Sequence, residues 1–299
     1  MNLLKLSFLV LFFTVFAAEK LALAAQPKAD WSTRFGTGYL VSDDADLDNG
    51  GNYSSQNFFI SGSAQKSIGQ KSSLGVGVDY TAIEYDFGGF AVTPWERADF
   101  LTLNVPFSTT VGEEGQFGFI GSLGTASEDS ADFAEGVTVT SVVSYMHRFS
   151  SALSAGIGAG YVYGLEDSTF FPMLLVRWHI TDQLLLANPF RPGPFGPAGL
   201  ELSYRFNEQL DLGLGGVYRS VRFALDDTSP VAPSGFAEFK GFPVFARIGW
   251  DATQSIALNG YLGMTLGGQL NIDDNDGHAL TEDDYDTQTI IGLNISGRF

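Results

Sequence analysis

The last thirteen residues of the chain alternate in polarity. Thr287, Thr289, Ile291, Leu293, Ile295, Gly297 and Phe299 share one face, and Gln288, Ile290, Gly292, Asn294, Ser296 and Arg298 share the other. Side chains alternate along a strand with period two, so the segment predicts a strand with one mostly apolar and one mixed, mostly polar face. The pattern recurs upstream. Leu153, Ala155, Ile157, Ala159, Tyr161 and Tyr163 oppose Ser154, Gly156, Gly158 and Gly160. Ile256, Leu258, Gly260, Leu262, Met264 and Leu266 oppose Ala257, Asn259, Tyr261, Gly263 and Thr265. Each run is near the ~10 residues that a tilted strand needs to cross a bilayer. The weakest pattern opens at Leu184, where Leu184-Leu185-Leu186-Ala187-Asn188-Pro189 does not alternate and leads into a proline-rich stretch.

Short polar turns separate many of these runs. Phe149-Ser150-Ser151-Ala152-Leu153, Ile180-Thr181-Asp182-Gln183-Leu184, Phe206-Asn207-Glu208-Gln209-Leu210 and Trp250-Asp251-Ala252-Thr253-Gln254 share one design. Gly69-Gln70-Lys71-Ser72 and Gly112-Glu113-Glu114-Gly115 are looser versions. Between them lie acidic, Gly/Pro/Asp-rich stretches at roughly 43–53, 86–97, 127–136, 166–168, 189–198, 226–236 and 273–286, read as long loops. Strict alternation of short turns with long loops is the pattern of an up-and-down antiparallel transmembrane β-barrel. Six short turns and seven long loops predict fourteen strands, with twelve or sixteen as the neighbouring counts, and put both termini at the short-turn end. Pro106, Pro172 and Pro243 fall inside the runs and are expected near strand ends, because proline removes a ladder donor.

Aromatics mark the two rims. Trp31, Phe107, Phe117, Phe149, Trp178, Phe206, Trp250 and Phe299 flank the short turns or termini, and Tyr39, Tyr80, Tyr163 and Phe242 lie toward the long loops. Two aromatic girdles are expected of a transmembrane barrel. On these residues, and above all on the alternating strand ending at Phe299, the chain resembles bacterial outer-membrane β-barrels. That resemblance implies a location in the bacterial outer membrane, contact with the lipid bilayer and lipopolysaccharide, and a role for Phe299 as the signal read by the barrel-assembly machinery. The layout is similar to porin-like barrels. Tyr204-Arg205-Phe206-Asn207 and Pro243-Val244-Phe245-Ala246-Arg247 are similar to a barrel family known only as a domain of unknown function. Fatty-acid channels share the strand number but carry an N-terminal hatch; here the first strand is expected near Trp31.

The N-terminal segment fits export. Lys5 precedes an apolar run from Leu6 to Ala18, and Ala22-Leu23-Ala24 supplies the small residues of a cleavage site, with Glu19 and Lys20 atypical between them. This reads as a signal peptide over residues 1–24, followed by a barrel over 25–299. No other segment reaches about 18 consecutive apolar residues, so no transmembrane helix is expected. The chain has no cysteine, which removes disulfides and thiol chemistry. Its formal net charge of −18 disfavours a nucleic-acid partner, which needs a basic footprint.

The candidate chemistry lies in the lumen. With Phe and Trp directed to lipid, period two sends Arg34, Arg148, Arg177, Arg205, Arg247 and Arg298 inward, all near the short-turn ends of their strands. A charge facing lipid at mid-depth would cost about 2–4 kcal/mol, so the inward assignment is also the cheaper one. Rings of arginine line anion-selective constrictions. The competing reading pairs these cations with inward carboxylates such as Asp79 and Glu201, and so plugs the barrel. In the loops, Asp44, Asp46 and Asp48 have the two-residue spacing of a calcium loop. Asn49 stands where its glycine belongs and no Glu follows at the twelfth position, so a solvated acidic surface with no cofactor is the expectation. Three histidines offer little for catalysis: His147 is expected to face lipid, His179 the lumen at the short-turn end, and His278 a loop beside Glu282 and Asp283. No motif with a catalytic mechanism appears, and an enzyme is not expected.

The sequence thus predicts an outer-membrane barrel, most simply a passive porin-like channel for small solutes. The alternatives are a closed structural or surface-interaction barrel and, behind it, an outer-membrane hydrolase. One prediction tests the membrane reading directly: replacing Phe299 by Asp blocks assembly, and heat-modifiable protein is lost from the outer-membrane fraction. Normal insertion of Phe299→Asp would refute the assembly role of this residue.

Overall fold

The computed structural model describes residues 31–189, 196 and 198–299. The signal peptide read over residues 1–24, with its cleavage site, lies outside them. Sixteen strand segments form one sheet. In order they are β1 (Trp31–Asp46), β2 (Asn52–Ile68), β3 (Ser72–Gly88), β4 (Arg97–Val111), β5 (Gly115–Glu128), β6 (Val137–Arg148), β7 (Leu153–Gly164) and β8 (Asp167–His179). There follow β9 (Leu184–Ala187), β10 (Gly199–Arg205), β11 (Leu210–Val217), β12 (Arg219–Ala224), β13 (Phe236–Asp251), β14 (Ile256–Asp273), β15 (Ala279–Tyr285) and β16 (Gln288–Arg298).

These segments occupy fourteen positions around a closed antiparallel barrel. β11 and β12 follow each other along one edge of β13, from Leu210↔Trp250 to Gly216↔Val244 and then from Arg219↔Gly241 to Ala224↔Phe236. β16 and β15 likewise share one edge of β14. The β1–β16 ladder and the β13–β14 ladder complete the ring. The outer face is apolar: Val76, Val78, Leu101, Leu103, Leu214, Leu262, Ile291 and Leu293 are all exposed, as a lipid-facing band requires. Trp31, Phe149, Trp178, Phe206, Trp250 and Phe299 are exposed at the short-turn rim. The backbone of Phe299 exchanges hydrogen bonds of 2.8 and 2.9 Å with Thr33, and its ring stacks on Phe35 at 6.0 Å.

Inside the strands, glycines face aromatic rings directly across the ladder. The pairs are Gly38–Phe59, Gly160–Phe171, Gly215–Phe245, Gly268–Tyr285 and Gly297–Phe35. A Cβ at Gly268 would lie 1.9 Å from the Tyr285 ring, so the ring occupies the space the glycine leaves. Such aromatic cover compensates the weak intrinsic strand preference of glycine.

Three expectations are corrected. Residues 166–168 are not a long loop: Leu165 (φ 58°) and Glu166 (φ 52°) form a two-residue turn between β7 and β8, with both central residues left-handed as the twist of a tight hairpin favours. The stretches 43–53 and 273–286 are largely strand, since β1 runs to Asp46 and β15 occupies most of the second. They stay paired because inward side chains such as Ala45, Tyr53 and Tyr285 are buried above the membrane band. The prolines lie inside strands, not near their ends. At Pro106 the β3–β4 register skips from Leu74↔Phe107 to Gly77↔Asn104. Pro172 sits above the reach of β9, which pairs with β8 only at Arg177–His179. Pro243 lies level with the break between β11 and β12. In each place one side of the ladder is already missing, so the absent N–H costs little.

The loop end is folded inward. A register shift between Lys240 and Phe242, with Gly267 at φ 57°, bulges the β13–β14 ladder and bends the strands above it. The end of β12 then touches β5 through a parallel bridge, Ala224↔Ser127. β5 is seven positions from β13 in either direction around the ring, so the β12–β13 hairpin spans the barrel mouth. Its apolar face packs Phe223, Leu225 and Phe239 against Tyr53, Tyr85, Trp95 and Tyr285. Its other side is polar: Arg222 Nη1 lies 2.5 Å from Asp273 Oδ2 and its guanidinium donates to the Leu165 carbonyl at 3.3 Å. A cross-link tests this placement. Bridge partners lie about 5 Å apart, within reach of a disulfide. In this cysteine-free chain, Ser127→Cys with Ala224→Cys should therefore oxidise in the assembled barrel without added catalyst. Reduced thiols in well-folded protein would show that the hairpin does not reach the far wall.

Candidate functional site

The inward faces of the strands build the lumen in layers. At the short-turn end, Arg34 and Arg298 stand directly opposite each other on β1 and β16. With Gln209 and Asp251 they line a wide opening of about 590 Å³. Two like charges side by side are tolerated there because the site is open and Asp251 shares it. Arg148 lies on the same rim, its Nη2 donating to the Glu113 carbonyl at 3.4 Å.

A vestibule of about 350 Å³ lies further in. Arg177 and Arg205 line it together with His179, Asn188, Ser203 and Met146. Among the described residues neither arginine makes an ion pair. β8 delivers Arg177 and His179, and β10 delivers Ser203 and Arg205, each pair from alternate positions of its strand.

Arg247 differs from the other arginines. It is 2% exposed, and its Nη2 lies 2.7 Å from Glu201 Oε1 and 2.5 Å from Asp211 Oδ1. Its Nε donates to Glu201 Oε1 at 3.1 Å and its Nη1 to Asn259 Oδ1 at 2.9 Å. Two glycines give this cluster its space: a Cβ on Gly249 would lie 2.2 Å from Nη1, and one on Gly213 would lie 2.6 Å from Glu201 Oε1. Arg247 is thus an internal tie between β10, β11, β13 and β14 and carries no free charge into the lumen. The expected pairing with Glu201 is present. Asp79 is placed otherwise, accepting from Asn104 Nδ2 instead of meeting an arginine.

Above the vestibule five buried side chains from the adjacent strands β11, β13, β14, β16 and β1 pack into an apolar layer: Val217, Phe245, Tyr261, Ile290 and Leu40. Beyond it lies a smaller cavity of about 60 Å³ that includes Arg219, Asn57 and Tyr85. The aromatic cluster of the inward-folded hairpin closes the loop end. Sequence reasoning missed Arg219 and Asp211, although both share the parity of Gly213 and Gly215. The signal was present, but the search followed arginines near short turns.

The other candidates are scattered. Asp46 pairs with Asn52 at the end of the β1–β2 ladder, the Asp48 N–H donates to the Asp284 carbonyl at 3.0 Å, and Asp44 lies in the register shift between Ser42 and Ala45. Among the described residues no three acidic or histidine side chains gather as a metal site would need. His278 is 79% exposed, and its nearest carboxylate is Asp274 at 3.5 Å, not Glu282 or Asp283. His147 faces outward and packs edge-on against Phe149 at 4.8 Å.

This architecture is the fold of the bacterial outer-membrane β-barrels. Among solved structures, an outer-membrane channel from Pseudomonas putida F1 aligns with 92% of this chain and 98% of its own at a TM-score of 0.50 and 12% identity. The toluene transporter TodX of Pseudomonas putida aligns with 92% of this chain and 91% of its own at a TM-score of 0.40 and 11% identity. Among curated proteins, an uncharacterised protein of Chlamydia pneumoniae is 25% identical over 153 residues, which is 50% of this chain and 46% of that protein. The chain thus matches less than half the length of that relative. No family model matches the sequence.

The Arg247 cluster generates a stability prediction. Arg247→Met leaves Glu201 and Asp211 facing each other without a cation and should cost about 3–5 kcal/mol, read as a lower urea midpoint of the refolded barrel. Adding Glu201→Gln and Asp211→Asn should recover most of the loss. An unchanged midpoint in the single variant would show that the cluster does not tie the strands.

Proposed function

We propose that this chain is a passive outer-membrane channel for small solutes, and that the structure holds its closed form. The observation that carries this reading is the arrangement of the lumen. A vestibule of about 350 Å³ and a cavity of about 60 Å³ both border one apolar layer, Phe245 and Tyr261 lining the first, Leu40 and Ile290 the second. A barrel serving only as a structural wall has no need of charged cavities along its interior. The inward hairpin supplies the closure, and its tip meets the far wall through one backbone bridge. The barrel sits in the outer membrane with its short turns toward the periplasm, its lipid-facing band against the bilayer and its long loops toward lipopolysaccharide. Phe299, on the strand that completes the ring, is what the assembly machinery reads.

Selectivity in this reading comes from the narrow part of the path. Arg177 and Arg205 act in a confined, low-dielectric passage, where charge counts for more than in bulk water. The acidic loops act only at the mouth and are screened beyond about 10 Å at 0.1 M salt. The channel is therefore expected to prefer anions weakly.

Planar-bilayer recording tests the reading. Wild-type protein should give a small conductance. Replacing residues 226–234 by a short Gly-Ser link should raise it several-fold. The reversal potential across a salt gradient should shift toward neutrality when Arg177 and Arg205 are both changed to Gln. Absence of conductance in wild type and in the shortened form alike would favour a closed structural barrel.

A further inference from the structure

The cavity above the apolar layer has a composition at odds with the rest of the chain. Of 299 residues, 34 are acidic and 16 basic, yet no aspartate or glutamate lines this space. Its charged lining residues are Arg219 and Lys240. Lys240 is neutralised, with Nζ 2.9 Å from Glu238 Oε2. Among the described residues Arg219 makes no hydrogen bond or ion pair. The titratable groups that face it are the neutral phenols of Tyr53, Tyr85 and Tyr285. Even half-buried, as Arg219 is, a cation without a counter-charge is unfavourable, and the usual remedy is a paired anion.

The surrounding groups are donors or can become so. The Tyr285 hydroxyl is occupied, donating to the Lys240 carbonyl at 3.1 Å. Asn57 gives an independent sign of a missing occupant. It is 5% exposed, lines the same cavity, and its Oδ1 has no hydrogen-bond partner among the described residues. A carboxamide turned by 180° keeps its shape and presents an N–H₂ instead. Size then limits the occupant. A water needs about 10–15 Å³ of such space, so a cavity of about 60 Å³ holds a chloride or a formate with its water and excludes an aromatic acid.

We propose that Arg219, with Tyr85 and Asn57, forms a mid-lumen binding site for a small monovalent anion of chloride or formate size. Arg219 supplies the charge and a planar fork of N–H donors. Tyr85 and Asn57 supply neutral donors from the β2–β3 wall. The site lies at the bend where β11 gives way to β12, directly beneath the aromatic cover. It adds to the channel reading a specific station for anions, and its test does not depend on conduction.

The experiment uses full-length refolded barrel in detergent, with chloride as the probe and the chloride nuclear magnetic resonance line width as the readout. Wild type should broaden the chloride line, and formate should reverse the broadening at lower concentration than benzoate. Arg219→Gln should reduce the excess width at least two-fold, whereas Lys71→Gln in an exposed turn should leave it unchanged. Should Arg219→Gln fail to fold, Tyr85→Phe, which keeps the charge, should still weaken chloride binding several-fold. Wild-type broadening in folded Arg219→Gln overturns the site, as does wild-type affinity in Tyr85→Phe. Benzoate competing as well as formate overturns the size assignment. Broadening without bilayer conductance would keep the site and remove the channel.

Discussion

A strand surrounded by lipid has only its neighbours to satisfy its N–H and C=O groups. That constraint organises the molecule. It demands a ring with no free edge, and the ring is completed where β16 lies between β1 and β14. Once the ring exists, each side chain has two choices, lipid or lumen, and period two decides between them. The apolar outer band, the rim aromatics and the inward arginines all follow from that one division.

The membrane-crossing part was legible in the sequence because its signal is local. Alternation over ten residues fixes a strand, and a short turn fixes the antiparallel neighbour, so Arg177 and Arg205 could be placed in the lumen by counting. The stretch beginning at Leu184 was weakly patterned, and β9 is correspondingly only four residues long. What lies above the membrane was not legible. Tyr53, Tyr85 and Tyr285 alternate as they would in a wall strand, and nothing local says that the sheet bends over the lumen there. The bend depends on a bulge at Gly241 and Gly267, whose effect appears only when the two strands are paired.

Charge pairing was legible in part. Parity puts Arg247 and Glu201 on the inner face, but their meeting depends on the register of β10, β11 and β13 together. Asp211 and Asn259, which complete the cluster, carry no distinguishing neighbours in sequence. The same limit hid Arg219. Six arginines near short turns stand out as a ring, while Arg219 opens the short strand β12, away from any short turn.

The bend above the membrane divides the protein into two opening units. The ladder from Asp251 to Phe242 is embedded in the ring and can open only with the barrel. The ladder above Lys240 ends in a hairpin secured by one backbone bridge, by the Asp226 N–H donating to Glu128 Oε2, and by the buried aromatic cluster beneath it. Local opening free energies scale with the contacts that must be broken. Amide hydrogens of β12 and upper β13 therefore belong to a unit of their own, whose opening requires the buried aromatic cluster around Phe223 and Phe239 to come apart, while those of lower β13 are tied to the ring itself. One continuous strand carries both, so a pull or push on the hairpin tip is transmitted along β13 to the layer that holds Phe245 and, two residues on, to the Arg247 cluster.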